Sequence, residues 1–149
     1  IIKTENLNWD SQNPVNNNNK LKDDLLIPTK IYQNILGPLI SSRILSGLSH
    51  ITGGGITENL PRILPSQFSF EINLNQLKIP KLMSWIIKKS EMTEEEALKT
   101  FNCGIGMICI VPKKNINKFS NYFKKVGENF YIIGEINTKK SVYNGNLNF

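Results

Sequence analysis

Apolar residues repeat every three or four positions in two long stretches, which predicts two amphipathic helices. The first stretch has Thr29 before it as a candidate N-cap, and Pro38 within it is expected to kink the helix. Its apolar positions are Tyr32, Ile35, Leu36, Leu39 and Ile40. The second stretch stops at Gly127, and its apolar positions are Ile116, Phe119, Tyr122, Phe123 and Val126. We therefore expect each helix to pack through one face.

Shorter apolar patterns predict strands. Alternation of apolar and polar residues over 68–74 indicates a half-buried strand, and "LSHI" (48–51) is a shorter candidate. The apolar runs "GMICIV" (106–111) and "FYIIGEI" (130–136) lie on either side of the second helix. A crossover of about 20 residues between them has the length that a parallel or ferredoxin-like pairing needs. The pattern as a whole predicts an α/β or α+β fold.

Three shorter helices and three polar segments complete the prediction. One helix is expected over 56–64, one opens at Pro80, and Thr93 followed by Glu96 forms a capping box for another. Residues 1–22 are read as the end of a preceding element and an Asn-rich loop. Residues 23–136 are read as the domain. The polar segment 137–149, with one Asn-Gly turn, is expected to be a frayed tail or an edge hairpin.

Composition narrows the classes of partner. A length of 149 residues suits one domain, and the net charge of +6 comes mostly from lysines scattered along the chain, so we expect no nucleic-acid partner. No apolar run approaches the roughly 20 residues of a membrane span, so we expect a soluble protein without a membrane partner. Cys103 and Cys109, about 20 Å apart in an extended segment, predict neither a disulfide nor a zinc site, and favour a reducing compartment.

The stretch "SHITGGGITENLPRILP" (49–65) is the first place where chemistry is expected. Three glycines, Gly53–Gly55, join a strand to a helix, where free amide groups can hold a phosphate. The same glycines also suit a tight turn, and spacing alone leaves both interpretations open. His50 is either a structural residue or a candidate for proton transfer. Asn59 and Arg62 share a helix face that points to the loop or to solvent.

The stretch "FNCGIGM" (101–107) is the second place in the sequence where chemistry is expected. Asn102 and the glycines at 104 and 106 open a strand, where glycine indicates a bulge or the close approach of backbone or ligand. Cys103 is a weak candidate for a nucleophile, because no histidine accompanies it locally.

These strings, with "LLIPTKIY", "MSWIIKKSEMTEEEALKTF" and "YIIGEI", closely resemble the C-terminal domain of the phosphoribosylformylglycinamidine cyclo-ligase (AIR synthetase) family over residues 23–136. The resemblance implies a three-layer α/β/α domain with a mixed sheet, partly ferredoxin-like. It also implies ATP-dependent closure of formylglycinamidine ribonucleotide to aminoimidazole ribonucleotide, in purine synthesis in the cytoplasm, with ADP and phosphate released. ATP and Mg²⁺ are the implied cofactors. The family's N-terminal domain would supply the metal ligands and the interface of a homodimer.

Carried over residue by residue, the resemblance makes His50 a candidate catalytic residue. It also gives a set of substrate- or phosphate-binding candidates, which are Thr52, Gly53, Gly54, Gly55, Asn59, Arg62, Asn102, Gly104 and Gly106. No metal ligand is expected in this chain, and we expect the chain alone to be inactive. Ile1 and Ile2 resemble the tail of an element that begins outside it. The Asn-rich connector and the residues after 136 depart from the family pattern.

Two alternatives remain. The chain could be the C-terminal domain of a related ATP-using enzyme, such as formylglycinamidine ribonucleotide synthetase, selenophosphate synthetase or thiamine-phosphate kinase. From another class, a small basic ferredoxin-like domain could bind RNA through exposed aromatic residues, but "GMICIV" carries none and "FYIIGEI" only Phe130 and Tyr131.

Overall fold

The computed structural model describes residues 1–149 and contains six α-helices and seven strands. The helices are Leu21–Leu25 (α1), Gln33–Ser41 (α2), Gly55–Asn59 (α3), Lys81–Lys89 (α4), Glu94–Thr100 (α5) and Ile116–Val126 (α6). The strands are Gln12–Asn13 (β1), Asn16–Lys20 (β2), Gly47–His50 (β3), Ser69–Asn73 (β4), Met107–Ile110 (β5), Gly134–Asn137 (β6) and Val142–Asn144 (β7). Three short 3₁₀ helices span Pro61–Ile63, Leu74–Gln76 and Lys113–Asn115.

The strands form three small sheets, and the predicted α+β class with a mixed sheet is confirmed. β1 and β2 make a hairpin, and β3 pairs antiparallel with β5. In the third sheet β4 is central, antiparallel to β6 and parallel to β7. The two strands on either side of α6 therefore belong to different sheets, and the parallel pairing predicted between them is not formed. After α6 the chain crosses to β4, where the Ile133 carbonyl accepts from the Asn73 amide at 2.8 Å.

Two apolar clusters hold the elements together. The larger joins α3, α4 and α5 to β4; its side chains include Ile56, Ile72 and Ile87, which are at most 2% exposed. The smaller joins α2 to α6 and consists of Leu36, Leu39, Phe119 and Phe123. β5 contributes side chains to both clusters, with Ile108 and Ile110 in the first and Met107 and Cys109 in the second, and β3 contributes Leu48 to the second. The two-stranded sheet thus lies between the clusters.

The Asn-rich connector is a hairpin, so the loop predicted there was wrong. Asn13 is buried, its side-chain oxygen accepts from the Val15 amide at 2.9 Å, and its amide donates to the Asp24 carboxylate. Asn19 donates to the same carboxylate at 2.8 Å. Asparagine side chains can hydrogen-bond nearby backbone groups and so order a polar segment that has no apolar period.

Proline and local capping explain most helix boundaries. The helix expected over 56–64 ends at Asn59, because Pro61 cannot continue its hydrogen bonding and a 3₁₀ turn follows. α2 begins after Tyr32 rather than at Thr29. The capping box is confirmed: the Glu96 amide donates to Thr93 Oγ1 at 3.2 Å, and the Thr93 amide donates to the Glu96 carboxylate at 2.8 Å. α6 ends at Gly127 as predicted.

Both ends of the chain pack against the domain. Residues 1–7 form hydrogen-bonded turns, and Glu5 forms an ion pair of 2.7 Å with Lys89 at the end of α4. At the other end, β7 adds an edge strand to β4 and Leu147 is buried, which is neither a frayed tail nor a hairpin. None of the six helices has both the length and the apolar character that crossing a membrane requires.

Candidate functional site

Pairing of β3 with β5 brings the two glycine-containing motifs side by side. His50 lies opposite Met107 in the antiparallel register. One residue further on, the Ile51 amide donates to the Gly106 carbonyl at 3.0 Å. Two segments more than 50 residues apart in sequence thus meet at one end of this sheet. The side chain of His50, the last residue of β3, is exposed there.

The three glycines of the loop have different surroundings. Gly55 has φ +58 and is buried, and a Cβ there would overlap the Leu98 carbonyl oxygen and lie 2.7 Å from that of Phe101. Gly54 has φ +90 and precedes α3 as its N-cap. A Cβ at Gly53 would meet no atom within 4 Å. The tight-turn interpretation therefore accounts for Gly55, which only glycine can occupy at this distance from α5. It does not account for Gly53.

Asn59 supports the loop from inside the domain. Its side chain is 7% exposed, and its amide donates to the carbonyls of Gly53 at 3.1 Å and Gly55 at 2.8 Å. Its oxygen accepts from Arg62 at 3.3 Å. The two donor positions of this side chain are thus used by the loop. Its ligand-binding role stays a prediction, while the structure gives it a supporting one.

Two opposite charges lie at the outer face of the loop. A Cβ at Gly54 would be 2.5 Å from Oε2 of Glu58, and that oxygen pairs with Arg62 at 3.2 Å. The Arg62 and Glu58 side chains are 64% and 55% exposed, and an exposed pair of this kind contributes only about 0.2–1 kcal/mol. An anion that approaches Gly54 therefore meets a carboxylate first, and it gains Arg62 as a partner only if this weak pair opens.

The second motif is a turn that packs against the connection between β4 and α4. The Asn102 side chain accepts from the Gly104 amide at 3.1 Å. Gly104 has φ +83, and a Cβ there would lie 2.5 Å from the carbonyl oxygen of Lys78. Between them Cys103 is fully buried, and burial raises the pKa of its thiol to about 11. At neutral pH this thiol is protonated, which does not suit a nucleophile.

Tyr32 is a neighbour of the site, although the apolar periodicity of the sequence identifies it only as a helix position. Its ring centroid lies 6.1 Å from that of His50 at an interplanar angle of 66°. A Cβ at Gly106 would overlap the Tyr32 hydroxyl. Periodicity could not reveal this contact, because it joins residues far apart in the chain. The only signal was the position of Tyr32 at the end of "LLIPTKIY".

A cavity of about 880 Å³ opens beside the second motif. It lies between β5 and the segment 128–136, and 23 of its 34 lining residues are hydrophobic. Gly104, Gly106 and Tyr32 line it, whereas His50, Thr52 and the loop glycines do not. The lining also includes two charged side chains, Lys30 and Glu128, which form an ion pair of 2.6 Å with each other. The apolar walls do not suit a phosphate, and His50, Thr52 and the loop glycines lie outside this cavity.

The predicted site residues therefore divide into three groups. His50, Thr52, Gly53 and Gly54 are at the junction of the two motifs, where Gly54 is the N-cap of α3 and lies under Glu58. Gly106 adjoins them through its contact with Ile51. Gly55, Asn59 and Gly104 have packing roles. Arg62 and Asn102 lie at the edges and interact with their own sequence neighbours.

The chain offers no cluster of metal ligands. No group of three His, Cys, Asp or Glu side chains lies close enough together to hold a metal ion. The carboxylate nearest the glycine loop, Glu58, already pairs with Arg62. Mg²⁺ takes oxygen ligands, commonly one or two carboxylates together with substrate phosphates. The carboxylate beside the glycine loop is therefore already paired with a cation and does not by itself fit a magnesium site.

Comparison with protein families matches the chain to the family described as "AIR synthase related protein, C-terminal domain". The match covers residues 1–143 and so includes both motifs, the β1–β2 hairpin and most of β7.

Proposed function

The chain belongs to the AIR synthase related family through its C-terminal domain, and on that premise we propose that it is the cleft-forming half of an AIR synthetase. Members of the family are ATP-using enzymes that generally require Mg²⁺. The proposed reaction is closure of formylglycinamidine ribonucleotide to aminoimidazole ribonucleotide, with ADP and phosphate released.

The observation that carries this proposal is the junction of the two motifs. Strand pairing places His50 beside Gly106, and the glycine loop continues directly from His50. This end of the sheet thus presents an exposed imidazole together with two exposed residues of the loop, Thr52 and Gly53. Backbone amides and hydroxyl groups bind phosphate, and an imidazole transfers protons near neutral pH. This combination suits a phosphorylated substrate from which a proton must be removed.

The proposal assigns nucleotide and metal binding to one domain and substrate binding to the other. Bound ATP would supply a phosphoryl group that activates the formamide oxygen of the substrate, with ADP as the leaving group, and Mg²⁺ would offset the charge of the phosphates. In this proposal the family's N-terminal domain would hold both, as the resemblance to the cyclo-ligase family implies. The chain's own residues would bind and orient the substrate, with His50 positioned to take or give a proton during ring closure. A homodimer in the cytoplasm is part of this proposal.

The test uses the protein that joins this chain to its N-terminal domain. ADP release and product formation are measured with formylglycinamidine ribonucleotide as substrate, for the wild type and for His50→Ala. Loss of general acid–base catalysis costs roughly 10²- to 10⁴-fold in rate, so we expect kcat to fall by at least the lower figure. Lys140→Ala, which removes an exposed cation beyond β6, is the control and should keep wild-type activity.

Two results would contradict the proposal. If the 149-residue chain alone formed product, the assignment of nucleotide and metal binding to another domain would be wrong. If the joined protein used ATP but phosphorylated a different substrate, such as selenide or thiamine phosphate, the chain would belong to a related synthetase or kinase of the same superfamily.

A further inference from the structure

Tyr32 is held in place at both its backbone and its ring. It caps α2, where its carbonyl accepts from the amides of Ile35 at 3.1 Å and Leu36 at 2.9 Å. Its side chain packs at the margin of the smaller apolar cluster, which contains Leu36 and Phe119. A tyrosine anchored in this way can act as a fixed surface for a neighbouring side chain.

The hydroxyl end of the Tyr32 side chain reaches the second motif at Gly106, directly before β5. Its hydroxyl occupies the space that a side chain at Gly106 would take. Tyr122, in the same cluster, donates its hydroxyl to the Ile35 carbonyl at 2.7 Å. The Tyr32 hydroxyl makes no hydrogen bond within the chain. Every buried side-chain oxygen of the chain does have a partner, so the Tyr32 hydroxyl is not buried and is accessible to solvent. Gly106 thus has a specific reason to lack a side chain.

The rings of Tyr32 and His50 meet at a steep angle. The centroid separation of 6.1 Å and the angle of 66° lie within the range of edge-to-face aromatic pairs, roughly 4.5–7 Å. His50 is otherwise exposed at the end of β3, and an exposed side chain there would be free to change rotamer. The tyrosine is therefore the neighbour that can limit where the imidazole points.

We propose that Tyr32 is a positioning residue that fixes the orientation of His50, and that Gly106 is the position that admits it. The structural part of this inference stands on the Tyr32–His50–Gly106 contacts alone. Its consequence for catalysis rests on the proposed function, in which His50 handles the proton during ring closure.

The first experiment measures the geometry without any substrate. His50 is the only histidine, so the 149-residue chain gives a single imidazole Hε1 signal in a ¹H–¹³C NMR spectrum. Tyr32→Leu keeps an apolar side chain but removes the ring, and we expect the His50 signal to shift. Tyr122→Phe, which removes a tyrosine hydroxyl from the same cluster, should leave it in place. An unmoved signal in Tyr32→Leu would overturn the inference.

Gly106→Ala provides a second route if Tyr32→Leu does not fold. The added methyl group displaces the Tyr32 hydroxyl from the opposite side, so it should also shift the His50 signal while Tyr32 itself is retained. A folded Gly106→Ala chain with the wild-type His50 signal would contradict the assigned role of the glycine.

The second experiment separates positioning from general destabilisation. In the protein joined to its N-terminal domain, Tyr32→Leu should lower kcat about tenfold or more with a smaller change in KM. In a His50→Ala background the same substitution should cost less than about twofold, because residues that act as a unit are not additive. Equal losses in both backgrounds would show a merely structural role. If the wild type made no product, the proposed function would fail, while the NMR result would still decide the role of Tyr32.

Discussion

The two glycine-containing segments differ in what their glycines touch. In the first, Gly55 lies against the carbonyls at the end of α5, while Gly53 faces open space. In the second, Gly104 lies against the Lys78 carbonyl and Gly106 against the Tyr32 hydroxyl. Backbone contacts cannot yield, whereas a side chain can rotate away. Gly54 also has a side chain close by, since a Cβ there would lie 2.5 Å from Oε2 of Glu58. Glycine therefore marks close approach at four of the five positions, and a ligand can approach Gly53 directly but Gly54 only if Glu58 moves.

Gly55→Ala should have the largest effect on stability. The new Cβ would overlap a backbone carbonyl, at a φ of +58 that alanine disfavours. Overpacking and strain of this kind each cost roughly 1–3 kcal/mol, so we expect the free energy of unfolding to fall by about 3 kcal/mol or more. Urea denaturation followed by circular dichroism measures it. Gly53→Ala, two residues away with no atom within 4 Å, is the matched control. Equal stability of the two variants would remove the distinction between the glycines.

Gly104→Ala should come second, because its new Cβ would lie 2.5 Å from the Lys78 carbonyl oxygen and 2.8 Å from Cδ of Pro80 rather than in direct overlap. Gly127 has a similar φ of +71, but a Cβ added there would meet no atom within 4 Å, so Gly127→Ala isolates the cost of the backbone conformation. We expect about 1 kcal/mol for Gly127→Ala and about 2–3 kcal/mol for Gly104→Ala. Thermal unfolding of both chains tests the difference, and identical values would mean that the loop moves freely away from Lys78.

Two asparagines extend the comparison to the side chains that support each segment. Asn59 is buried and donates to two loop carbonyls, whereas Asn102 accepts one bond from Gly104 at an exposed turn. Asn59→Ala removes one buried hydrogen bond, to Gly55, and one part-buried hydrogen bond, to Gly53, which should cost about 1–3 kcal/mol together. Asn102→Ala removes one exposed bond and should cost about 0.5–1 kcal/mol. Chemical denaturation of both variants measures this order. The reverse order would show that the Gly53–Gly55 loop does not depend on Asn59.

Local signals in the sequence were sufficient where the interacting residues are close in the chain. The capping box of α5 and the end of α6 at Gly127 are of this kind, since the partners are at most a few residues apart. Pro61 was an equally local signal that the α3 prediction overlooked, and it ends that helix early. The hairpin at 12–20 depends on buried asparagine bonds, which polar composition alone does not reveal.

The contacts of the glycines and the pairing of the strands depend on residues far apart in the chain, and periodicity carries no information about such partners. The sequence placed His50 and the glycines in one site through family resemblance, but it could not assign Gly55 to α5, Gly104 to Lys78 or Gly106 to Tyr32. Periodicity also could not show that β5 and β6 belong to different sheets, because this depends on their long-range partners β3 and β4. The length of a crossover permits parallel pairing, whereas the contacts of β4 decide which strand lies beside it.

The smallest expected effect concerns the charges outside the loop. Glu58 lies over Gly54 and should repel an anion there, by about 1 kcal/mol for charges some 4 Å apart in water. Glu58→Gln should therefore strengthen binding of inorganic phosphate by roughly fivefold, and Arg62→Gln should weaken it by a similar factor. Titration of the 149-residue chain, followed through the amide signals of Gly53 and Gly54, measures both. Raising the salt concentration should reduce the difference between the variants, because the pair is exposed. If neither variant changed the phosphate affinity, or no amide signal moved in the wild type, the loop would be a turn and the anion would bind elsewhere.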